Sequence, residues 1–374
     1  MVLDKVTALI CAYNASKTIK RAIHSVIDQV DGVIIVDDGS TDNTVDLIEA
    51  LTDIKITVIK SAPNKGIGAS RQAALDACQT KYAIWVDADD ECLPNRVATL
   101  LPYLEQGVGW VYDSIELYDG VTNVFSKNLL IPDFLLSSDG IYHQLARNYI
   151  PSIGFPMINV EQALSIGFDV TFRHGEDYDH FLRALTSGGK IALSSTITHR
   201  MYDLPSSLSR QLDAQNEYVE MGMKKHREAD LITLLGASCL DTKDQCSISL
   251  LRMLKLKDAP SLEKIISNTS LPSDSKEFDW LVHFSTGVFH YLKGDFILAK
   301  KGFKNALGIC KSADVCNNLG VINKSLGASG KGFFEEALDI FPGYQDAERN
   351  LCGDEMRMTY VPLRQHQSRD NYGD

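Results

Sequence analysis

The chain has 374 residues, a formal net charge of −12 and a hydrophobic fraction of 44%. This length allows two or more domains of about 100–200 residues each, and the hydrophobic fraction provides a core that excludes wholesale disorder. The acidic balance argues against broad electrostatic binding to nucleic acids or to anionic membrane surfaces.

The N-terminus and the cysteines favour a cytoplasmic protein. The opening stretch MVLDKVTALICAYN has no basic segment of the kind that begins a signal peptide, and Asp4 and Lys5 interrupt its apolar run. No stretch approaches the roughly 20 apolar residues of a membrane-spanning helix. The eight cysteines include no CxxC pair and no zinc-ligand spacing. We therefore expect reduced cysteines and no transmembrane segment.

Short β-rich runs alternate with helical patterns along the first part of the chain. The predicted strands are Val6–Tyr13, Val33–Val36, Ile56–Ile59 and Tyr82–Val86, and the predicted helices cover 19–30, 45–51 and Ile67–Cys78. Such alternation predicts an α/β fold with a mostly parallel sheet that helices cover on both faces.

Three polar stretches follow these predicted strands. AYN comes after the first strand, DDGSTD after the second and DADD after the fourth. Ligands of open α/β sheets bind beyond the carboxyl ends of the strands. The three stretches should therefore meet at one edge of the sheet.

The pattern is irregular from about 113 to 210 and helical from about 214 to 350. Small and aromatic residues repeat within the helical part: Gly287, Gly294, Ala299, Phe303 and Ala306, then Leu319, Gly320, Gly327, Phe334, Ala337 and Pro342. Their spacing resembles tetratricopeptide repeats, although the usual Trp and Tyr positions are missing. An ordinary helical hairpin domain is the alternative.

We predict three parts of the chain. An α/β domain spans 1–212, a helical, tetratricopeptide-like domain spans 213–355, and a flexible tail spans 356–374. The helical domain is expected to grip an acceptor, to support self-association or to bind a protein partner.

The first part resembles the family 2 glycosyltransferases, which are nucleotide-sugar enzymes of the GT-A fold. Six stretches carry the resemblance in the order of the family: TALICAYNASKTIKRAIHSV, IIVDDGSTDNTVDLI, NKGIGASRQAAL, YAIWVDADDECLPNR, GFD and GEDYDHFLRAL. Any one is weak alone, but six at reasonable spacings make a specific match. The resemblance implies a nucleotide-diphosphate sugar donor and a GT-A Rossmann-like sheet.

The resemblance also implies a metal site. Asp87-Ala88-Asp89 matches the DxD motif of the family, in which Asp89 binds Mn²⁺ or Mg²⁺ and Asp87 contacts the metal shell or the ribose. Hard oxygen ligands suit these cations. His199 is a further candidate ligand of the metal or the diphosphate, displaced from the usual family position. An acidic turn without a cation is the alternative for the aspartates, and a strand-end histidine without a metal role for His199.

The other donor-binding residues follow from the same resemblance. Ala12 and Tyr13 match the loop that lines the nucleotide pocket, and Asp38 matches the residue that accepts a hydrogen bond from the base. A carboxylate acceptor favours uracil or thymine, whose ring N–H is a donor, and leaves guanine open. Arg71 matches an arginine that reaches the phosphates of the donor or the DxD carboxylates. A turn aspartate that caps a helix and a solvated arginine are the alternatives.

Glu176 and Asp177 match the ED pair of the family. The resemblance implies that Asp177 is the general base of an inverting displacement and that Glu176 holds the acceptor or positions Asp177. The alternative is a charged helix start, where acids are favoured by the helix dipole. The QxxRW motif and membrane helices of processive synthases are absent from the sequence, which favours a non-processive enzyme.

The acceptor is expected to be a hydroxyl of a glycan, a lipid-linked sugar or a protein, and nucleic acid is an unfavoured acceptor. The enzyme is expected in the cytoplasm, with peripheral membrane association only through its acceptor. Two other functions compete: an inactive scaffold that binds a protein through its helical repeats, and a nucleotidyltransferase. The intact Asp38, Asp87, Asp89 and Asp177 argue against the first. The lack of a glycine-rich, basic phosphate loop near the N-terminus argues against the second.

Overall fold

The structure is a computed structural model. It describes residues 5–51, 56–137, 139–205, 212–353 and 356–363, without the side chains of 212–215 and 229. The chain forms two compact units: Met1–Gln144 with Asn148–Leu234, and Leu145–Arg147 with Leu235–Asp374.

Nine strands of the described chain form one sheet in the first unit. They are β1 (Val6–Ala12), β2 (Gly32–Asp37), β3 (Ile56–Lys60), β4 (Tyr82–Asp87), β5 (Glu91–Cys92), β6 (Trp110–Asp119), β7 (Phe125–Leu129), β8 (Met157–Asn159) and β9 (Ile191–Asp203). The order is β3-β2-β1-β4-β8-β6-β9-β5, and β7 pairs with β6. Strands β1 to β4 are parallel to one another, whereas β8 runs antiparallel to both β4 and β6.

Helices lie between and after these strands in the chain. They are α1 (Ile19–Val26), α2 (Thr44–Glu49), α3 (Ile67–Ala77), α4 (Arg96–Glu105), α5 (Asp133–Leu136), α6 (Val160–Ile166), α7 (Glu176–Thr186), α8 (Leu212–Lys224) and α9 (Glu228–Gly236). The three- and four-residue spacing in α1 places Ile19, Ile23 and Val26 fully inside the core. Each such side chain contributes about 1.5–3 kcal/mol by leaving water. The mixed α/β fold predicted from the sequence is confirmed.

The second unit is helical. Its helices are α10 (Thr242–Leu256), α11 (Ala259–Ser267), α12 (Lys276–Leu292), α13 (Phe296–Ile309), α14 (Ala313–Ser325), α15 (Lys331–Ile340) and α16 (Gln345–Cys352). Within α12–α13 and α14–α15, glycines allow close contact with aromatic rings. A Cβ on Gly287 would lie 2.7 Å from Phe303, and one on Gly320 would lie 2.4 Å from Phe334. Gly287 and Gly320, two of the small residues noticed in the sequence, are therefore packing positions, whereas Gly294 and Gly327 have positive φ angles and open space around them.

The boundary between the two compact units differs from the predicted boundary. The prediction placed the division at 212, whereas the first unit continues to Leu234. The physical reason is the packing of α8 on the end of the α/β domain. Tyr218 packs against Phe172, and Lys225 donates hydrogen bonds to Asp169 and Asp179 at 2.7 and 2.9 Å.

The predicted flexible tail also needs a correction. Met358 and Thr359 are only 7% and 6% exposed, because residues 356–363 pack against the helical unit. The remainder of the predicted tail, 364–374, lies outside the described residues. Across the described part of the chain, no helix combines the length and the apolar character that a bilayer span requires.

Candidate active site

Three parallel strands bring the predicted donor and metal residues to one edge of the sheet. Ala12 at the end of β1 is the register partner of Asp37 on β2, and Cys11 is the partner of Asp87 on β4. The loops that follow these strands therefore start side by side. This is the edge where the sequence prediction placed the site.

Asp87, Asp89 and Asp90 form an acidic cluster in which one oxygen of each carboxylate lies within 4.8 Å of the others. Burial, followed by repulsion from neighbouring carboxylates, raises the pKa of Asp87 and of Asp89 to about 7, although Arg71 acts in the opposite direction on Asp87. Ala88 between them is buried in the core. The cluster concentrates negative charge that a bound cation would neutralise.

The carboxylate set fits a hard divalent cation. Three oxygen donors at this separation match the ligand type of Mg²⁺ or Mn²⁺. Burial and the neighbouring carboxylates raise the pKa values of Asp87 and Asp89, so the charged forms of both groups are unfavourable without a further positive charge. Asp87, Asp89 and Asp90 are therefore the residues that would hold such an ion.

His199 lies behind this cluster, and its predicted role as a metal ligand is corrected. Its Nε2 is 3.1 Å from Oδ2 of Asp90, and its Nδ1 contacts the guanidinium of Arg96. Burial and then Arg96 hold the pKa of His199 well below its usual value, so the ring is neutral. A neutral ring whose Nε2–H donates to Asp90 and whose Nδ1 accepts from Arg96 has no lone pair left for a metal. His199 instead orients Asp90.

Arg71 on α3 joins the acidic cluster to α7. Its Nε donates to Oε1 of Glu176 at 2.8 Å, its Nη1 donates to the carbonyl of Gly154 at 2.8 Å, and its Nη2 lies 3.3 Å from Oδ1 of Asp87. The side chain is 4% exposed. Arg71 was expected to contact either the phosphates of the donor or a carboxylate of the DxD motif, and the structure shows a contact with the DxD carboxylate of Asp87.

Glu176 and Asp177 open α7 but have different surroundings. Glu176 is buried against Arg71, and burial followed by the charge of Asp177 raises the pKa of Glu176 to about 7. Asp177 is half-buried, and its Oδ1 accepts a hydrogen bond from the amide of Tyr178 at 2.7 Å. A Cβ on Gly154 would lie 3.3 Å from Oδ2 of Asp177, so this glycine keeps the carboxylate uncovered.

An apolar recess lies beside Asp177 and Arg71. Its other walls include the rings of Trp85, Tyr112 and Phe168. The guanidinium carbon of Arg71 lies 4.8 Å from the centre of the Trp85 ring. Low polarity around these charged groups strengthens the electrostatic interactions that they make.

The loops after β1 and β2 are locked together by hydrogen bonds. The amide of Asn14 donates to Oγ of Ser40 at 2.8 Å, and the amide of Thr41 donates to Oδ1 of Asn14 at 2.8 Å. Tyr13 beside them is 53% exposed. The loops therefore present an aromatic ring on a preorganised frame.

Asp38 begins the loop after β2 and is 5% exposed. Its two carboxylate oxygens accept hydrogen bonds from the amides of Lys65 and Gly66, each at 2.8 Å. Each oxygen has a second lone pair, so a further donor can still bind. The residue thus fixes the loop before α3, whereas the turn interpretation expected it to cap the helix after β2, and it keeps acceptor capacity.

Sequence reasoning placed Asp90 in the acidic run DADD without naming it as a ligand, and it gave no role to Gly154. Asp90 completes the acidic cluster. Gly154 supplies a carbonyl to Arg71 and space beside Asp177, but it lies in the irregular part of the sequence, where no pattern marks it.

Comparisons with known proteins point to one enzyme family. Residues 7–172 match the profile of glycosyl transferase family 2. The chain is 30% identical over 196 residues to WcaA of Escherichia coli (strain K12), a protein assigned to colanic acid biosynthesis as a glycosyl transferase. The match covers 50% of this chain and 69% of WcaA. It is 29% identical over 228 residues to the succinoglycan biosynthesis protein ExoO of Rhizobium meliloti (strain 1021). That match covers 56% of this chain and 65% of ExoO, just under two thirds of its length.

A solved structure shares the fold. The crystal structure of Staphylococcus aureus TarS residues 1–349 in complex with UDP-GlcNAc superposes with a TM-score of 0.52 at 14% identity, and the match covers 94% of this chain and 93% of that chain. At this identity the likeness concerns the fold alone. The match to WcaA and the family profile identify the chain as a member of the family 2 glycosyltransferases, and therefore as an enzyme that transfers sugars.

Proposed function

We propose that this enzyme is a metal-dependent, inverting and non-processive glycosyltransferase that moves a sugar from a UDP- or dTDP-linked donor to a hydroxyl of a glycan acceptor. One observation carries the proposal: Arg71 bonds at the same time to Asp87 of the acidic cluster and to Glu176, the neighbour of Asp177. One buried guanidinium thereby links the proposed cation site to the helix start that carries the partly exposed carboxylate of Asp177.

The donor would bind over the loops after β1 and β2. The exposed ring of Tyr13 offers a stacking surface for the base, and Asp38 offers an acceptor for a ring N–H. A uracil or thymine base satisfies that acceptor. The TarS structure, which contains UDP-GlcNAc, supports a uridine donor by its shared fold.

The cation would be held by Asp87, Asp89 and Asp90. When bound, Mg²⁺ or Mn²⁺ supplies positive charge that stabilises the diphosphate. The residues around the cluster orient the carboxylates: the amide of Tyr202 donates to Oδ1 of Asp90 at 2.9 Å while His199 contacts its Oδ2. Two directed bonds to one carboxylate fix its plane.

Asp177 would act as the general base. The acceptor hydroxyl gives its proton to Asp177, its oxygen forms a bond to the anomeric carbon, and the bond from that carbon to the diphosphate oxygen breaks with both electrons going to the nucleoside diphosphate. A single displacement from the opposite face inverts the anomeric configuration. Glu176, bonded to Arg71, holds the start of α7 in place for this transfer.

The acceptor is proposed to be a growing polysaccharide or its lipid-linked precursor. The names of ExoO and WcaA place both relatives in polysaccharide biosynthesis. Cys11, Cys78, Cys92, Cys246, Cys310, Cys316 and Cys352 form no disulfide, which supports a reducing cytoplasmic location. The glycine-to-phenylalanine contacts in α12–α13 and α14–α15 support a tetratricopeptide-like character for the helical unit, with a role in binding rather than in the chemistry.

The test replaces Asp177 by Asn, which keeps the shape of the side chain and removes its basicity. UDP binding should stay within a few-fold of wild type, and turnover should fall by about 10²-fold or more, the size expected for loss of a general base. Glu161→Gln on α6 is the matched control, since this exposed acid lies in the first turn of another helix. Near-normal turnover of Asp177→Asn, or a product with retained configuration, would refute the assigned base and mechanism.

The donor is tested in parallel by the thermal shift that UDP, dTDP, GDP and ADP produce with Mn²⁺. We expect UDP or dTDP to stabilise the protein most. A preference for ADP, whose base has no ring N–H, would contradict the role given to Asp38.

A further inference from the structure

Residues 356–363 occupy a cleft of the helical unit without belonging to a helix or a strand. Three asparagines line this cleft: Asn317 and Asn318 on α14 and Asn350 on α16. Their exposures are 0%, 0% and 1%. A buried side-chain amide without a hydrogen-bond partner costs folding free energy. The hydrogen-bond partners of these three amides therefore indicate which kind of ligand the cleft binds.

Two of these amides bind the backbone of the segment in the manner of a strand. Asn350 accepts from the amide of Arg357 at 2.6 Å and donates to the carbonyl of Arg357 at 2.8 Å. Asn318 accepts from the amide of Thr359 and donates to its carbonyl, both at 2.8 Å. Alternate residues of an extended chain present their backbone groups on the same side, so the two side chains act like two rungs of a sheet edge.

The third asparagine connects the two rungs. Asn317 donates to the carbonyl of Arg357 at 3.0 Å and to the hydroxyl of Thr359 at 3.1 Å, and it accepts from Asn350 at 2.8 Å. Asparagine amides that bind backbone groups do not depend on the side chains of the bound residues. The cleft thus has the chemistry to recognise an extended polypeptide.

Side-chain contacts add a modest sequence preference. Met358 enters the apolar core of the helical unit. The hydroxyl of Thr359 donates to Asp346 at 3.1 Å, and the ring of Tyr360 packs against Tyr291 with 6.2 Å between ring centres. A fitting peptide would carry an apolar residue, a hydroxyl residue and an aromatic residue in succession.

We propose that this cleft is a peptide-binding site, and that residues 356–363 are its exchangeable ligand within the same chain. An extended segment of a second polypeptide with matching side chains, and without proline at the positions of Arg357 and Thr359, would take its place. If the segment left, the side-chain amides of three buried asparagines would lose their hydrogen-bond partners. The empty cleft is therefore unfavourable, and one occupant is exchanged directly for another.

The first experiment uses the unaltered full chain and a synthetic peptide with the sequence of residues 356–363, MRMTYVPL. Hydrogen exchange of the chain's own segment, followed by mass spectrometry, should accelerate as the peptide concentration rises to the millimolar range. The control peptide has proline in place of threonine and cannot donate to Asn318. It should leave the exchange unchanged.

The second experiment releases the segment by substitution. Thr359→Pro in the full chain removes the amide that Asn318 accepts, so the labelled peptide should bind this variant at least about tenfold more tightly than wild type, by fluorescence anisotropy. Adding Asn318→Leu to Thr359→Pro should abolish that gain. Met356→Pro, at an exposed position of the same segment, should behave like wild type.

The proposal is wrong if the peptide leaves the exchange of the chain's own segment unchanged and Thr359→Pro binds it no better than wild type. In that case residues 356–363 are a fixed part of the fold. If circular dichroism shows that Thr359→Pro does not fold, the exchange experiment on the unaltered chain decides alone. Association of wild-type chains that rises with concentration and is suppressed by the peptide would identify a second copy as the source of the competing segment.

Discussion

Arg71 and Glu176 form a buried ion pair whose two members depend on each other. Each is 4% exposed, and removal of one partner from such a pair costs about 3–5 kcal/mol because the other charge is left without compensation. We expect Arg71→Met to lower the free energy of unfolding by about this amount. The double variant Arg71→Met/Glu176→Gln should lose less than Arg71→Met alone. Urea unfolding of the four proteins of this cycle measures the coupling.

The loss in Arg71→Met should also depend on pH. Burial already raises the pKa of Glu176 to about 7, and without the guanidinium the pKa rises further. A carboxyl group with a raised pKa in the folded state favours folding at low pH, and this stability is lost as pH rises through the raised value. The deficit of Arg71→Met should therefore be small near pH 5 and large near pH 8. A deficit independent of pH would contradict the assigned pairing.

Protons would compete with the proposed divalent cation for the acidic cluster. The pKa values of Asp87 and Asp89 are both about 7, so both groups must lose protons before they bind a metal at lower pH. The affinity for Mn²⁺ should rise between pH 5 and 7 by up to about tenfold per pH unit for each proton displaced, and level off above pH 7. Calorimetric titration at several pH values checks this. An affinity that does not change over this range would place the metal elsewhere.

The same raised pKa values make the cluster a source of instability in chelator. Because ionised Asp89 is unfavourable in the folded state, this cost grows as pH rises from about 4 to 7. Asp89→Asn should therefore unfold at higher temperature than wild type in chelator at pH 8 and lose metal-dependent UDP binding. Asp46→Asn, at an exposed position of α2, is the control and should change neither property.

Individual residues differ in how well the sequence alone predicts their position in the candidate site. The aspartates of the acidic cluster and the ED pair could be located because strand ends and a helix start fix their positions. His199 could not, because its role depends on Arg96, a residue 103 positions away along the chain. A histidine near carboxylates looks like a ligand until the partners of both ring nitrogens are known.

At the scale of elements, the contact between α14 and α15 depends on Gly320. A Cβ at this position would lie 2.4 Å from the Phe334 ring, so Gly320→Ala must displace the ring. We expect a destabilisation of about 1–3 kcal/mol, the usual cost of overpacking a core. Gly332→Ala in α15 is the control, since a Cβ there meets nothing within 4 Å. The control should be neutral, or stabilising by up to about 1 kcal/mol. Equal effects of the two substitutions would contradict the close contact.

Elements also differ in how well their sequence predicts them. The strands β1 to β4 and the helices between them follow local periodicity, and the prediction found them. Strands β6 to β9 were not predicted, because β6 pairs in parallel with β9, about 80 residues later, and antiparallel with both β7 and β8. Such pairings depend on contacts between distant segments, which no local pattern records.

At the scale of the whole molecule, two compact units with separate cores predict two unfolding transitions. Calorimetry should resolve them, and UDP with Mn²⁺ should raise the midpoint of only the transition that belongs to the α/β unit, because ligands stabilise the unit that binds them. Gly320→Ala should lower only the other transition. A single transition that responds to both changes would show that the units unfold together.

The position of Arg71 between two carboxylates has a consequence for the order in which substrates are used. In the absence of a cation, the guanidinium divides its charge between Asp87 and Glu176, with the shorter contact to Glu176. If a cation were bound at Asp87, that carboxylate would be neutralised, and more of the charge of Arg71 would act on Glu176. Binding of the donor with its cation would then change the charge balance beside Glu176, where the acceptor is proposed to bind. We therefore expect ordered kinetics in which the nucleotide sugar binds first. Product-inhibition patterns distinguish this order from random addition, and in Arg71→Met the order should be lost.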